Sequence, residues 1–293
     1  MIGIIGGTGI GDALGVLGAG EAHDLDTPFG RPSGPIRVVE MAGTRVAWLA
    51  RHGEGHRLNP TRVPYRANIF AFKMLGVSQI VASGAVGSLR EDLAPRELVL
   101  PDQTIDRTFR RPGTFFEELA VHVELAAPFC PRLRLQLARN APNDGPRCHD
   151  GGTYVCMEGP QFSSRAESAL HRSWGGDLIG MTLLPEAKLA REAEMCYAAV
   201  ALVTDYDCWR PHPKASDPQA SDKLRLLEEI IGNVKIATDN AMALLRASLP
   251  AIAANDDATC PCRRALALAI WSDQSTIDAA TRERLAPLLR GVA

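Results

Sequence analysis

Short β-branched runs alternate with stretches of helical periodicity along the chain. Apolar runs at Ile2–Ile5, Val46–Ala50, Gln79–Ser83, Glu97–Leu100, Asp177–Gly180 and Ala198–Val203 predict buried strands. Between and after them, Tyr65–Leu75, Pro131–Arg139, Phe162–Trp174, Pro185–Tyr197 and Leu224–Ala247 predict helices. Phe162, Ala166, Leu170 and Trp174 recur every four residues, which predicts one apolar helix face. Pro185 suits a first helical turn, where its missing N–H leaves no bond unmade. This alternation is the signature of an α/β domain built on a central mixed, largely parallel twisted sheet flanked by helices. Thr108–Pro131 and Trp209–Asp222 carry no period and read as long surface loops of the kind used for lids or subunit contacts. Ala251–Thr259 reads as a linker to a last helix at Cys262–Ile270. The expected organisation is one principal domain over 1–250 and a C-terminal linker and helix over 251–293, packed on that domain or on a neighbouring subunit.

Composition narrows the function classes. The 293 residues are 46% hydrophobic and 23% charged, and the net charge of −2 gives no electrostatic case for nucleic acid or an anionic membrane. No apolar segment reaches the ~20 residues of a membrane span. A strand beginning at residue 2 leaves no room for a signal peptide, so a cytoplasmic location is expected. Seven cysteines, an odd number in apolar surroundings, read as buried thiols in a reducing compartment. The one close pair is Cys260 and Cys262 in "CPC", with no second pair nearby, so no metal site is expected. A disulfide across two residues is geometrically tight, which favours reduced thiols there.

Candidate chemistry begins at the first turn. "MIGIIGGTGIGD" breaks an apolar run into glycines. A dinucleotide fingerprint needs glycines at relative positions one, three and six, but the sixth position falls on Asp12 or Leu14. A nucleoside-triphosphate loop needs Gly-Lys-Ser/Thr, and "GIGD" has neither the lysine nor the hydroxyl. What remains is a site for a small oxyanion built from backbone N–H groups and the Thr8 hydroxyl, or a tight strand-to-helix turn. Other strand ends carry matching groups. Arg51 and His52 follow one apolar run; Gly84, Gly87 and Ser88 follow another; Met181 and Thr182 end a third; Asp205 and Asp207 end a fourth. Open α/β sheets bind ligands at the carboxyl ends of their strands. Taken singly, Arg51 also suits an ion pair, Met181 the core, and Asp205 a helix cap, while His52, His56 and His122 are weak signals.

Together these motifs carry a resemblance. "GIIGGTGI", "ARHGEGHRLNPTRVPYRANIFA", "AVGSLRED", "DRTFRRPGTFF", "HVELAAPFCP", "YVCMEGPQFSSRAES", "GMTLLPEAKLAREAEMCYA" and "TDYDCW" closely resemble the 5′-methylthioadenosine phosphorylase family of trimeric nucleoside phosphorylases, from residue 1 to about 250. "CPC" with "RRALALAI" is similar to the C-terminal stretch of its prokaryotic branch. The resemblance implies a nucleoside phosphorylase fold and a homotrimer or dimer of trimers. It also implies no organic cofactor or metal, with orthophosphate as co-substrate. Phosphate would sit among Thr8, Arg51, His52, the Ala85 N–H and Thr182. Met181 would lie against the ribose and Phe162 near the purine. Asp205 and Asp207 would face the purine N7 and 6-amino edge, with Asp205 as general acid. His122 would reach a neighbouring subunit's site near the 5′-substituent, and Leu227, Ile230 and Ile231 would line the 5′-pocket. Many relatives carry a threonine where this chain has Gly84, which removes one phosphate donor; Ser83 would point to the other side of the strand.

The implied reaction is phosphorolysis of 5′-methylthioadenosine to adenine and 5-methylthioribose 1-phosphate. The rival of the same class is a 5′-methylthioinosine or general purine nucleoside phosphorylase, disfavoured because a carboxylate repels a 6-oxo group. A dinucleotide-dependent oxidoreductase is disfavoured by the glycine spacing, and an inactive nucleoside-binding module by the near-complete set of site residues.

Overall fold

The apolar run that opens the chain becomes the parallel seam of one large sheet. A computed structural model describes residues 1–10, 13, 20–142, 145–210 and 220–289, with the backbone alone for 220–226 and 274. In chain order the strands are β1 (Ile2–Gly6), β2 (Glu21–His23), β3 (Ile36–Met41), β4 (Thr44–Ala50), β5 (Gln79–Ser88) and β6 (Leu98–Leu100). They continue as β7 (Gln103–Arg107), β8 (Cys148–Asp150), β9 (Thr153–Met157), β10 (Leu178–Gly180) and β11 (Cys196–Tyr206). The helices are α1 (Tyr65–Met74), α2 (Pro131–Arg139), α3 (Arg165–Ser173), α4 (Leu183–Glu192), α5 (Ala220–Ala254), α6 (Ala279–Arg284) and α7 (Ala286–Leu289).

All eleven strands join one mixed sheet. β1 pairs in parallel with β4 and with β5, and β5 pairs in parallel with β11. The β2–β3–β4 meander is antiparallel, as is the short pairing of β10 with β5. Every residue of β1 is buried, as expected for a central parallel strand covered on both faces. Apolar side chains on the two faces form two large clusters, one with α1 and α4, the other with α2 and α5. The chain is therefore a single α/β domain with a mixed sheet flanked by helices, as the alternation predicts.

The differences from the expected elements have local causes. β5 does not end at Ser83 but runs to Ser88, paired throughout with β11, so Gly84–Ser88 is strand rather than loop. The helix expected over Phe162–Trp174 starts at Arg165, because Ser164 and Glu167 form a reciprocal capping box there. Its Ala166, Leu170 and Trp174 face is exposed, and Ser168 and His171 are buried instead. α4 begins its regular turns at Pro185, as predicted, since Leu184 keeps the extended angles that a following proline imposes. It stops at Glu192, however, and Cys196–Tyr197 open β11. The expected linker is helical as far as Ala254: α5 continues over Pro250, whose missing N–H leaves the Arg246 carbonyl without its helical donor. Cys262–Ile270 forms a short 3-10 turn and irregular backbone, not a helix. The expected Trp209–Asp222 loop largely falls on 211–219, outside the described residues. Among the described residues no helix is long and apolar enough to cross a membrane.

Candidate active site

Unequal strand lengths create the site. β1 pairs with β5 only up to Ile5 opposite Ala82, and β10 joins that edge at Gly87 and Ser88. Between Ala82 and Gly87 that edge of β5 has no strand partner among the described residues; a side chain takes the Ser83 carbonyl, which leaves the Ala85 backbone available to a ligand. A cavity of about 1030 Å³ opens at this point, lined by the ends of β1, β4, β5, β10 and β11. Thr8, Arg51, His52, Ala85, Phe162, Met181, Thr182, Asp205, Asp207 and Ile230 all line it.

One end is built around Arg51, whose side chain is fully buried. Its guanidinium fork does not open toward the cavity. Nε and Nη2 donate to Glu186 Oε1 and Oε2 at 2.5 and 2.9 Å, and Nη1 donates to the Ser83 carbonyl at 2.5 Å. Tyr197 adds its hydroxyl to Glu186 at 2.8 Å. Burial works against the Arg51 charge, but the Glu186 carboxylate outweighs it and the pKa is raised. Arg51 is thus a fixed cation with two N–H bonds to spare rather than a mobile fork. Gly7 permits this arrangement, since a Cβ there would stand 2.7 Å from Arg51 Nη1 and 2.6 Å from the Ser83 carbonyl. Gly9 takes φ +87°, and a Cβ would meet Thr238 Oγ1 of α5 at 2.2 Å, so the turn and the helix packing both require glycine.

His52 donates from Nδ1 to the Leu58 carbonyl at 2.7 Å and stacks on His56 at 4.1 Å. Burial, then the Arg51 charge, lower its pKa to about 4, so near pH 7 it is neutral and Nε2 is an acceptor. Thr182 precedes α4 but its hydroxyl caps no helix N–H. The Ser83 hydroxyl accepts from the Gly7 N–H at 3.2 Å and donates to the Ile5 carbonyl at 3.4 Å. A Cβ at Gly84 would lie 3.3 Å from Thr182 Oγ1, so a side chain there requires the Thr182 side chain to give by a few tenths of an ångström.

The other end holds two carboxylates. A bulge between Val203 and Asp205 shifts the register of β11, setting Asp205 opposite Gly87 and re-aiming the side chains that follow. Burial raises the Asp205 pKa to about 6, against the Thr204 hydrogen bond that lowers it, with a further contribution from Asp207. The Thr204 hydroxyl lies 2.6 Å from Asp205 Oδ1 and 3.2 Å from the Val86 carbonyl. It can donate to the carboxylate, or donate to Val86 and accept from a protonated Asp205. Asp207 is 8% exposed, and its Oδ2 is buried with no hydrogen-bond partner. Three residue steps along β5 lead from Gly84 to Gly87, on the order of 10 Å, room for a pentose between the two ends.

A family model described as the phosphorylase superfamily matches residues 1–250. The chain belongs to the phosphorylase superfamily. The S-methyl-5′-thioadenosine phosphorylase of Koribacter versatilis is 47% identical over 285 residues, covering 97% of this chain and 94% of that protein. The Chloroflexus aurantiacus protein of the same name is 48% identical over 289 residues, covering 98% and 96%. Among solved structures, a methylthioadenosine phosphorylase from an antarctic soil metagenomic library superposes with TM-score 0.88 at 44% identity, covering 98% of each chain. The Schistosoma mansoni methylthioadenosine phosphorylase in complex with adenine gives 0.83 at 33% identity, covering 94% of this chain and 99% of that one.

Three expected residues of this phosphorylase lie outside its own cavity. Leu227 and Ile231, four apart on α5, share a face that is 53% and 59% exposed. Ile230 lines the cavity with Asn233 and Val234, whereas Leu227 and Ile231 do not reach its wall. His122 packs on Trp271 with ring centroids 4.7 Å apart, in a loop bridged to the C-terminal segment at Val121 and Ile270. Phe162 reaches the cavity as a rim residue, 85% exposed.

Sequence reasoning missed Glu186 and Arg111. The side chain of Arg111 is fully buried and donates to Glu158 Oε1 at 3.0 Å and to the carbonyls of Met181 and Leu184 at 2.5 and 2.9 Å. It fixes the loop that presents Met181 and Thr182. Both residues sit inside quoted motifs, but only the fold shows what they touch.

Proposed function

We propose that this phosphorylase cleaves 5′-methylthioadenosine with orthophosphate, releasing adenine and 5-methylthioribose 1-phosphate. The observation that carries the reading is one cavity with a fixed cation and an unpaired strand edge at Ala85 at one end and a protonatable carboxylate at the other. The names of the similar proteins point the same way.

Phosphate sits at the Arg51 end, held by the spare Arg51 N–H bonds, the Ala85 N–H and the hydroxyls of Thr8 and Thr182. His52, neutral with Nε2 as acceptor, takes the O–H of the monohydrogen anion, which fixes the ionic form bound. A phosphate oxygen attacks C1′ as the C1′–N9 bond breaks, and that bond's electron pair moves into the purine. Asp205 gives its proton to N7, and Asp207 accepts from the 6-amino group with its unpartnered Oδ2. Much of the rate enhancement is positioning of the anion in line with the breaking bond. Met181 lies along the ribose and Phe162 covers the purine. Orthophosphate is the co-substrate, and these residues require no organic cofactor.

The exposed Phe162, Leu170, Trp174, Leu268 and Trp271 are apolar surface that a homotrimer would cover. In that assembly His122, with Ile270 and Trp271 behind it, serves a neighbour's 5′-pocket, and residues 1–250 form the catalytic unit. Adenine release from methylthioadenosine, measured with and without phosphate, tests the reaction; phosphate-independent release refutes it. Asp207→Asn tests the base assignment: unchanged discrimination between adenine and hypoxanthine nucleosides would favour a general purine nucleoside phosphorylase.

A further inference from the structure

Four cysteines far apart in sequence meet in one apolar cluster on the side of the sheet packed by α2 and α5. Cys130 directly precedes α2, Cys196 opens β11, and Cys260 and Cys262 flank Pro261 in the turn after α5. Their four Sγ atoms lie within 4.8 Å of one another. Cys130 Sγ is 3.7 Å, and Cys196 Sγ 3.5 Å, from Cys260 Sγ. A four-thiolate site with metal–sulfur bonds near 2.3 Å has sulfur–sulfur edges of about 3.8 Å. The cluster therefore already has close to the dimensions of a tetrahedral ligand cage. All seven cysteines are free thiols, so no disulfide occupies these sulfurs.

The surroundings fit a closed structural site rather than a reactive one. Cys130 and Cys196 are 0% exposed, Cys262 3% and Cys260 5%. Structural zinc sites are closed, four-coordinate and thiolate-rich, whereas redox-sensing thiols are accessible. Backbone bonds hold the ligand-bearing segments: Cys130 N–H donates to the Tyr197 carbonyl at 2.7 Å and Cys196 N–H to the Ser78 carbonyl at 3.1 Å. Arg132 stands beside the sulfurs, with Nη2 3.5 Å from Cys196 Sγ. Its hydrogen bonds go to neutral groups, the Gln79 side-chain oxygen, the Asn255 carbonyl and this thiol, and its Nε is buried without a partner. A guanidinium placed this way suits a cluster that becomes anionic.

We propose that Cys130, Cys196, Cys260 and Cys262 form a tetrahedral site for one soft divalent metal ion of the zinc class. Binding replaces four S–H bonds by four metal–sulfur bonds and releases four protons, which leaves roughly two negative charges beside Arg132. The ion ties together the start of α2, the start of β11 and the C-terminal segment. That segment carries Ile270 and Trp271, which hold the His122 loop. No cysteine spacing along the chain marks this site, since "CPC" supplies one half and two distant residues supply the other.

The test uses the full chain, purified under reductant without chelator from cells grown with zinc. Elemental analysis is expected to give about one zinc per chain. Cys262→Ser is expected to lower that at least tenfold, and Cys148→Ser, outside the cluster, to leave it unchanged. If the Cys262 variant does not fold, cobalt titration of the wild-type chain decides: thiolate-to-cobalt charge-transfer bands saturating at one equivalent, with proton release, support the site. A folded wild-type chain that takes up less than about a tenth of an equivalent of zinc or cobalt overturns it. So does finding these four thiols paired as disulfides under the same reducing conditions. Both readouts are independent of turnover, so failure here leaves the proposed reaction standing and failure of that reaction leaves this site standing.

Discussion

Asp205→Asn separates the chemistry of the site from its stability. Burial raises the Asp205 pKa from an ordinary 3.8 to about 6, with Asp207 adding to it and the Thr204 hydrogen bond opposing it. The native chain then holds more protons at this position than the unfolded chain between those two values. Stability attributable to Asp205 therefore falls as pH rises through that window, and the loss is complete above about pH 6. The gap corresponds to on the order of 3 kcal/mol, or about 1–3 after allowing for relaxation around the ionised carboxylate. Asparagine cannot ionise. Relative to wild type, the variant should gain about 1–3 kcal/mol between pH 4 and pH 8 while losing most turnover. Urea unfolding of both proteins at the two pH values, at one fixed protomer concentration, measures this. Comparing the variant-minus-wild-type difference between pH values cancels the altered hydrogen bond to Thr204. An unchanged difference would mean that Asp205 is not held above its ordinary pKa, and the general-acid role would lose its physical basis.

Two further outcomes follow from the other end of the cavity. Glu186→Ala leaves the fully buried Arg51 charge uncompensated, a loss of about 3–5 kcal/mol, and should lower the melting temperature by at least roughly 6 °C. A smaller drop in thermal unfolding would mean that another group balances Arg51. Gly84→Thr adds a hydroxyl beside Thr182, whose side chain must give by a few tenths of an ångström to take the new Cβ, and should lower the KM for phosphate by about tenfold through one charge-assisted hydrogen bond. Steady-state kinetics with phosphate varied and nucleoside saturating would expose an unchanged or raised KM as a refutation.

The alternation of apolar runs and helical periods was enough for the α/β class, because strands buried on both faces must be continuously apolar and their crossover helices must be periodic. It also located the strand ends that carry Thr8, Arg51, Thr182 and Asp205, since ligands bind where strands stop. What periodicity could not show is which edge a helix face meets. Leu170 and Trp174 belong to the predicted apolar helix face, yet this chain exposes that face and buries Ser168 and His171. Nor could local pattern reveal that Arg51 is committed to Glu186 across the sheet, or that a bulge sets Asp205 opposite Gly87. The four thiols make the same point most sharply. Sequence determines which groups exist and the period with which each element presents them; contacts between distant elements depend on register, bulges and strand length, and these are decided when the sheet assembles.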